Sequence, residues 1–339
     1  MQKTFGRYRL IRHLASGGMG EVYLGEALGA AGFAKRLVIK TLRSELSADA
    51  RLVEQFVAEG RLLEAIDHPN IAQILDLGMV DDTYFLAMEY VEGFNLRELQ
   101  RAVPGEADIK RLPEKAVLCV LIAIGEALHH AATRHGSDGT PLAIVHHDVT
   151  PSNIVVRPDG HLKLVDFGVA RSAMMEHLTA GSLRGKVPYL SPEQVDGAVV
   201  DGRVDIFGLG LVAFELLCGQ RALDVTEPQG LAMAYQQLAD RFELLTSLGL
   251  SDGTLALLST MLELDREGRC PSADLVARQA SLQMLKLGEA SNSIPLAEAL
   301  EPAFATLEAK EQAFDRTLSS IVAANHTPAS FVGDHSDGT

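Results

Sequence analysis

The stretch His146-His147-Asp148-Val149-Thr150-Pro151-Ser152-Asn153 decides how this chain is interpreted. It places a carboxylate, Asp148, and a carboxamide, Asn153, in one loop that Pro151 keeps tight. An aspartate suits the orientation of a hydroxyl group, and an asparagine oxygen is a hard ligand for Mg²⁺. Either residue alone is also typical of an ordinary turn. The chemistry therefore depends on which other residues stand at the right distance along the chain.

Two further charged segments flank this loop. Upstream, Lys40 ends the strand-like run Leu37-Val38-Ile39, where a lone lysine is usually just a solvated strand edge. Downstream, Asp166-Phe167-Gly168 supplies a second carboxylate of the kind that binds Mg²⁺. Together the three segments offer a cation for phosphate groups, an acid for a hydroxyl and two oxygen ligands for a metal ion.

The helix predicted over residues 49–66 carries an acidic residue on its apolar face. That face consists of Leu52, Phe56, Leu63 and Ile66. Glu59 lies three residues after Phe56 and four before Leu63, which places a carboxylate in the middle of the stripe. Because burying an unpaired charge is costly, Glu59 needs a cationic partner.

A glycine-rich turn, Ala15-Ser16-Gly17-Gly18-Met19-Gly20, precedes Lys40. Glycines allow backbone amides to approach phosphate oxygens without a Cβ in the way. The pattern is weak alone, because dinucleotide-binding folds and ordinary turns share it. In a dinucleotide-binding fold a helix follows the turn, whereas Glu21-Val22-Tyr23-Leu24 is typical of a strand. A hairpin over a ligand is therefore the favoured interpretation.

In this order the segments resemble the protein-kinase family over about residues 8–280. The sequence of residues 146–151 and that of the turn Gly17-Gly18-Met19-Gly20 are most similar to those of bacterial Hanks-type serine/threonine kinases. The resemblance implies an α+β, bilobal protein-kinase-like fold. We expect a small β-rich N-lobe with one key helix and a larger, mainly helical C-lobe.

The expected organisation is a kinase domain followed by a short extension. Its parts are a kinase domain at 1–285, with the N-lobe at about 8–90, a hinge at about 89–93 and the C-lobe at about 94–285, a helical extension at 286–326 and a disordered tail at 327–339. The predicted strands lie at 8–14, 21–25, 36–42, 71–77, 84–90 and 144–149, with two more within 153–165 around a turn at 158–160. The predicted helices of the C-lobe include 113–135, 204–218 and 230–245.

The resemblance implies that ATP binds between the lobes together with Mg²⁺, or alternatively Mn²⁺. Val22 and Val38 would sandwich the adenine, Met88 would close the back of the pocket, and the backbone of 89–91 would hydrogen-bond the base. The residues expected at the nucleotide are Leu14, Ala15, Ser16, Gly17, Gly18, Met19, Gly20, Val22, Val38, Lys40, Met88, Glu89 and Val91. The family's first glycine is Ala15 here, so the match in the turn is imperfect.

The same resemblance assigns the catalytic roles. Asp148 would accept or orient the hydroxyl proton of the substrate. Lys40 would contact the phosphates while paired with Glu59, and this pairing would satisfy the buried carboxylate. Asn153 and Asp166 would hold the metal ion through oxygen ligands.

Besides Ala15, three positions around the catalytic aspartate depart from the usual pattern of the family. His147 stands where an arginine usually pairs with a phosphorylated activation loop, so we expect activity to depend little on loop phosphorylation. Thr150 stands where serine/threonine kinases usually carry a lysine, and Lys186 stands where they usually carry a threonine. The favoured interpretation is a reciprocal swap in which Lys186 brings the missing charge to Asp148. The alternative is a solvent-exposed loop lysine.

Three residues of the second lobe favour a protein substrate. Glu193, Asp205 and Arg269 resemble residues that build the platform for a peptide, with Arg269 paired to Glu193. Small-molecule phosphotransferases of the same superfamily generally lack this segment, so the hypothesis that the chain phosphorylates a small molecule is disfavoured. Thr179 and Ser182 are candidate sites of self-phosphorylation, although loop hydroxyls are usually just polar filler.

The expected function is therefore ATP- and Mg²⁺-dependent phosphorylation of serine or threonine hydroxyls in proteins, in signalling. The alternative is a pseudokinase that acts as a nucleotide-binding scaffold or interaction module. The unusual residues Ala15, His147 and Thr150 support that alternative. The presence of all five residues with chemical roles opposes it; these are Lys40, Glu59, Asp148, Asn153 and Asp166.

Composition restricts the partners and the compartment. A formal net charge of −15 disfavours nucleic acid and anionic membrane surfaces as partners. The three cysteines are far apart and odd in number, so we expect free thiols in a reducing cytoplasm. The apolar runs at 116–124 and 206–218 are shorter than a bilayer requires, so no membrane span is expected.

A last helix is predicted from apolar spacing. Its apolar residues recur at intervals of three, four and seven, and they are Leu300, Phe304, Leu307, Phe314, Leu318 and Ile321. The favoured interpretation is a helix that packs back on the kinase lobe, because isolated helices rarely persist without packing. The alternative is a partner or dimer contact through residues 300–321.

Overall fold

The fold has a β-rich N-lobe and a helical C-lobe, as the resemblance implied. The computed structural model describes residues 3–16, 20–47, 49–104, 110–136, 138–167 and 185–324. The largest hydrophobic core fills the C-lobe, and two smaller clusters lie within the N-lobe. This arrangement leaves the contact region between the lobes available for a ligand.

Six antiparallel strands form the N-lobe sheet, in the order β1-β2-β3-β4-β6-β5. Their bounds are Lys3–Phe5 (β1), Tyr8–Ser16 (β2), Gly20–Leu28 (β3), Ala34–Leu42 (β4), Ile74–Val80 (β5) and Thr83–Glu89 (β6). The register pairs Val22 with Lys40, so the strand after the glycine-rich turn lies beside the strand of the lysine. The structure confirms the strands predicted at 8–14, 21–25, 36–42 and 84–90. The strand predicted at 71–77 begins later, at Ile74. Strand β1 was not predicted from the sequence.

One long helix packs against this sheet. The N-lobe helices are Ser44–Ser47 (α1) and Ala50–Glu64 (α2). Asp49 caps α2 by accepting a hydrogen bond from the Arg51 amide at 2.9 Å. Phe56 is buried beside Leu86 of β6. Gly60 allows the close approach, because a Cβ there would lie 2.7 Å from Leu86 Cδ2.

The C-lobe surrounds one helix that is buried on all sides. Its helices are Leu96–Ala102 (α3), Glu114–Ala132 (α4), Pro192–Val195 (α5), Arg203–Cys218 (α6), Leu231–Gln236 (α7), Leu238–Thr246 (α8), Asp252–Met261 (α9), Ala273–Lys286 (α10) and Ile294–Ala324 (α11). Every residue of α6 after Arg203 is buried, which is typical of a helix in a core. The helix predicted at 230–245 is interrupted at Gln237 and forms α7 and α8.

Helix α4 has the length and hydropathy of a membrane span. It is the one such helix in the part of the chain that the structure describes, and 61% of its apolar window is buried within the protein. It packs against α6 and α10. The apolar run at 116–124 lies within the helix predicted at 113–135, which the structure places at Glu114–Ala132, and its burial is what a core helix shows.

A second, three-stranded sheet lies where the C-lobe meets the N-lobe. Its strands are Phe94–Asn95 (β7), Ile154–Val156 (β8) and Leu162–Leu164 (β9), in that order. The predicted turn at 158–160 joins β8 to β9, and Gly160 has a φ of 79° that favours glycine. Leu164 forms a bridge with Ile71, which connects this sheet to the N-lobe.

The strand predicted at 144–149 is wrong. Its backbone amides bind a side chain in place of a neighbouring strand. The amides of His146 and His147 donate to the two carboxylate oxygens of Asp205 at 2.7 and 2.8 Å. A buried carboxylate thus replaces the ladder hydrogen bonds that a strand would need.

Helix α11 packs back on the C-lobe, as the favoured interpretation expected. It contacts α3 and α4 and buries Leu296, Leu300, Ala303 and Phe304. The side chains of Phe314, Leu318 and Ile321 lie outside the described residues, as does the expected tail at 327–339. The division of the chain into domains at 285 and 326 stays a prediction.

Candidate active site

A cleft of about 840 Å³ lies between the two lobes. The predicted nucleotide residues that line it are Leu14, Ala15, Val22, Val38, Lys40, Met88, Glu89 and Val91. Both predicted metal ligands, Asn153 and Asp166, line it as well. The volume is within the usual range of small-molecule sites. The structure therefore brings most of the predicted binding residues to one cavity.

The glycine-rich turn is described at its two ends. Gly17, Gly18 and Met19 lie outside the described residues. The Ser16 hydroxyl donates to the Glu21 carboxylate at 2.6 Å across the base of the turn. A Cβ at Gly20 would lie 1.6 Å from the carbonyl oxygen of Thr41 on β4. The packing of β3 against β4 therefore requires glycine at position 20, independently of any phosphate.

The connection after β6 has one amide already in use. The Glu89 N–H donates to the carbonyl of Gln73 at 2.8 Å, and the Glu89 carboxylate accepts from Lys163 at 2.9 Å. Met88 and Val91 line the cleft on either side. Of the predicted backbone contacts to a base, the amide of Glu89 is thus occupied within the protein.

Lys40 and Asp166 both line the cleft and form an ion pair with each other. The Lys40 ammonium contacts Asp166 Oδ1. Asp166 has a φ of 59°, a left-handed conformation that costs energy for a residue other than glycine. The side chain of Glu59 lies outside the described residues, so its pairing with Lys40 stays a prediction. The observed contact still places a cation beside the predicted metal ligand.

Asp148 is 6% exposed and is held from two sides. The Lys186 ammonium donates to its Oδ2 at 2.5 Å. Asn153 Nδ2 donates to the same oxygen at 2.8 Å and to the Asp148 carbonyl at 2.9 Å. The contact that the swap between Thr150 and Lys186 required is therefore present, and a simple solvent-exposed lysine is not what the structure shows.

His146 supports this aspartate from behind. Its Nδ1 accepts from the Asp148 amide at 3.2 Å, and its Nε2 donates to the Val165 carbonyl at 3.1 Å. Burial lowers the pKa of His146 to about 4, which keeps the ring neutral, and its two hydrogen-bond partners determine the tautomer. The ring of Phe167 packs on it at a centroid distance of 4.5 Å. The segment of Asp148 is thereby connected to the segment of Asp166.

Asp205 anchors the same loop from α6. Burial raises its pKa to about 7, while the two amide donors from His146 and His147 favour its charged form. His147 has a φ of 64°, and its carbonyl accepts from Gln194 at 3.1 Å. Burial also lowers the pKa of the His147 imidazole. These contacts show that Asp205 holds the loop before Asp148, and its role in a platform for a peptide stays a prediction.

The predicted pair of Glu193 and Arg269 forms a buried, two-pronged ion pair. Arg269 Nη1 and Nη2 donate to the two carboxylate oxygens at 2.6 and 3.1 Å. The Arg269 guanidinium also lies 4.7 Å above the ring of Phe207 and is fully buried. It therefore fixes α5, at the end of the segment after Lys186, to the body of the C-lobe.

We expect Arg269→Lys to lower the free energy of unfolding by about 1–3 kcal/mol, because an ammonium keeps the charge but cannot form the paired fork. Chemical denaturation measures this loss. Arg278→Lys is the matched control, since Arg278 is 74% exposed in its pair with Asp274 and should change stability by less than about 0.5 kcal/mol. Equal losses for the two variants would contradict a structural role for the buried pair.

Sequence reasoning missed two features of the site. Phe304, Glu308 and Glu311 of α11 line the cleft, although no motif connects this helix with a ligand. Arg97 donates to the hydroxyls of Ser152 and Tyr189, both at 2.8 Å, and so ties α3 to the catalytic loop. Neither contact has a local sequence signal, because each depends on how distant helices pack. The candidate acceptors Thr179 and Ser182, with Gly168, lie outside the described residues.

The chemistry of the donor set fits a divalent metal ion held jointly with a nucleotide. Within the described ranges no group of three or more His, Cys, Asp or Glu residues could hold a metal ion by itself. Mg²⁺ commonly uses one or two protein oxygen ligands together with substrate phosphates and water. Asn153 and Asp166, both on the cleft wall, supply ligands of that kind.

Comparisons with known proteins point the same way. The family model described as protein kinase domain matches residues 8–280. The tyrosine-protein kinase MasK of Myxococcus xanthus is 33% identical over 95% of this chain and 50% of its own length. The serine/threonine-protein kinase PrkC of Bacillus subtilis is 36% identical over 70% of this chain and 34% of its own length.

A solved structure extends this to three dimensions. The PknI kinase domain of Mycobacterium tuberculosis superimposes with a TM-score of 0.59 and 28% identity, covering 83% of this chain and 98% of that one. The chain spans half or less of the length of the two curated relatives. Because the alignment with MasK covers 95% of the chain, it must extend beyond residue 280 into α11. The chain belongs to the protein kinase family, in its bacterial Hanks-type group.

Proposed function

We propose that this chain transfers the γ-phosphate of ATP to serine or threonine hydroxyls of protein substrates, with a divalent metal ion. The observation that carries the proposal is the convergence of Lys40, Asn153 and Asp166 on one cleft wall. Asp148 lies directly behind it, hydrogen-bonded to Asn153. This is the set of charges that phosphoryl transfer needs.

In the proposed reaction the substrate oxygen bonds to the γ-phosphorus while the bond to the β,γ-bridging oxygen breaks. ADP departs with the electron pair of that bond, and the hydroxyl proton passes to the Asp148 carboxylate. Lys40 stabilises negative charge on the phosphates from the N-lobe side. A metal ion held by Asn153 and Asp166 would neutralise phosphate charge, and we propose Mg²⁺ as that ion, with Mn²⁺ as a substitute.

Lys186 supplies a second cation at the same site. Its ammonium lies 2.5 Å from the Asp148 carboxylate, and the Lys186 side chain is 25% exposed, so the charge is beside the proposed proton acceptor without being fully enclosed. Thr150, at the position of the usual lysine, is 2% exposed and uncharged. We assign Lys186 the role of stabilising charge on the transferring phosphoryl group.

The environment of His147 supports activity without loop phosphorylation. An arginine at this position would offer a permanent charge and a paired donor to a phosphate. The pKa of His147 is lowered by burial, so the imidazole is neutral near pH 7 and a poor partner for a phosphate. Thr179 and Ser182 remain candidate acceptors of self-phosphorylation in this proposal.

A tyrosine acceptor is the second candidate. It is favoured by the similarity to MasK, which is named a tyrosine-protein kinase and aligns over 95% of this chain. Serine/threonine specificity is favoured by PrkC and by further relatives named serine/threonine-protein kinases, among them Pkn1 of Myxococcus xanthus at 37% identity. The comparisons give the pseudokinase alternative no support, since these relatives are named as kinases.

The compartment is proposed from the cysteines. Cys119, Cys218 and Cys270 are all free thiols and all buried. Burial raises the pKa of Cys119 and of Cys218 to about 11, which makes these thiols unreactive. We propose that this part of the chain works in the cytoplasm, where thiols stay reduced and ATP is available.

Incubation with radiolabelled Mg·ATP and a generic protein substrate tests the proposed function. We expect label on phosphoserine or phosphothreonine after acid hydrolysis, in both the substrate and the chain itself. Label on phosphotyrosine alone would favour the second candidate. A wild-type protein that binds ATP but transfers no phosphate with Mg²⁺ or Mn²⁺ would contradict the proposal.

A further inference from the structure

Helix α11 starts on the C-lobe side of the cleft. The Ser293 hydroxyl donates to the carbonyl of Asp159 at 2.9 Å, in the turn between β8 and β9. Gly160 in the same turn approaches so closely that a Cβ there would lie 2.3 Å from the Ser293 carbonyl oxygen. Asp159 itself lines the cleft. The beginning of α11 is therefore fixed beside the nucleotide site.

The middle of α11 forms part of the cleft wall. The ring of Phe304 packs on the ring of Phe94 at a centroid distance of 5.7 Å, and Phe304 is 5% exposed. Phe94 is the first residue of β7, directly after the connection between the lobes. Phe304 and, one turn later, Glu308 both line the cleft. These residues lie outside the range that the kinase family model matches, which ends at 280.

The far part of α11 reaches the N-lobe. Glu311 forms an ion pair with Arg12 of β2 at 3.7 Å. Both side chains are about half exposed, at 53% and 47%. Glu311 is also close to the connection between the lobes, where burial raises the pKa of Tyr90 and the charge of Glu311 raises it further. A single helix anchored on the C-lobe thus contacts the N-lobe at the cleft, near the connection between the lobes.

We propose that α11 is a strap that closes the outer side of the nucleotide cleft, and that the Arg12–Glu311 pair latches it to the N-lobe. This inference rests on the proposed function, because nucleotide is the ligand that it concerns. The strap supplies one wall through Phe304 and Glu308. It strengthens nucleotide binding by holding the two lobes in the relative position in which both of them contact the nucleotide.

The volume of the cleft shows why the strap assists and does not block. About 840 Å³ remains with α11 in place, which is enough for a ligand of nucleotide size. The bound nucleotide and α11 each connect the two lobes. Each connection favours the other, because the first to form restricts the lobes and so reduces the entropy lost when the second forms. By linkage, a latch that tightens nucleotide binding is itself tightened by nucleotide.

The latch is tested by reversing its charges. The dissociation constant of MgADP is measured by titration calorimetry for wild type, Arg12→Glu, Glu311→Arg and the double variant. We expect each single variant to bind about three- to fivefold more weakly, as is typical of an exposed ion pair turned into a repulsion, and the double variant to return to within about twofold of wild type. Glu298→Arg, an exposed position on the same helix, is the matched control and should bind as wild type does.

A second measurement follows the strap itself. Amide exchange in residues 305–313 should slow when MgADP is added to the wild-type protein, and Phe304→Ala should remove this protection. Faster exchange with MgADP would mean that nucleotide displaces the helix and would overturn the proposal. Unchanged or tighter binding in the single variants, or a double variant without recovery, would overturn the latch. A wild-type protein that binds no MgADP would overturn the proposed function itself.

Discussion

Asp148→Asn is expected to lower the rate of phosphoryl transfer by about 10²–10⁴-fold. The amide cannot accept the hydroxyl proton, although it has the shape of the carboxylate. It also loses its attraction for the Lys186 ammonium, which now donates to Asp148 Oδ2 at 2.5 Å. Steady-state rates with Mg·ATP and a protein substrate give the loss in kcat. The dissociation constant of MgADP should change by less than about twofold, because Lys40, Asn153 and Asp166 line the nucleotide cleft and Asp148 is not among its lining residues.

Asp240→Asn is the control for this substitution. Asp240 is exposed on α8, in the C-lobe and away from the cleft, so the same chemical change there should leave kcat as it was. A transfer rate in Asp148→Asn within about tenfold of wild type would contradict the role of proton acceptor. Equal weakening of MgADP binding and of turnover would indicate damage to the cleft in place of a lost catalytic group.

The sequence predicted those parts of the site that short motifs encode. Asp148 and Asn153 share one loop, so their contact follows from local geometry once the loop is identified. The pair of Glu193 and Arg269 is separated widely in sequence, and it was predicted because the resemblance supplied the partner. Burial of both residues then makes a paired fork the favourable arrangement.

What the sequence did not predict depends on tertiary packing. The segment at 144–149 contains the β-branched residues Ile144, Val145 and Val149, which favour a strand, but the buried carboxylate of Asp205 takes the amide hydrogen bonds of His146 and His147. The periodicity of α11 predicted its apolar face and its packing on the C-lobe. It contains no information about which surface of the C-lobe receives the helix, so the contact of Phe304 with Phe94 could not be anticipated.

Lys186→Met is expected to lower kcat by about 10²–10³-fold, with little change in the dissociation constant of MgADP. Methionine keeps the apolar stem of the side chain but removes the terminal ammonium and its charge. In wild type that charge lies against the buried carboxylate of Asp148, where the low exposure of the pair makes it stronger than a surface contact. Measured kcat values with a protein substrate determine the loss, and the MgADP affinity separates it from damage to nucleotide binding.

The swap hypothesis makes a sharper prediction for the two positions together. Lys186→Thr should lose activity as Lys186→Met does, and adding Thr150→Lys should recover at least about tenfold of that loss, because the usual family position then carries the ammonium. Thr150 is buried, at 2% exposure, but it lies two residues after Asp148, and a flexible lysine stem can carry its charge from there to the carboxylate. Thr150→Lys alone places two ammonium groups beside one carboxylate and should not raise activity. Strictly additive effects of the two substitutions would mean that the side chains act independently. That result would contradict the hypothesis that Lys186 replaces the lysine usually found at position 150.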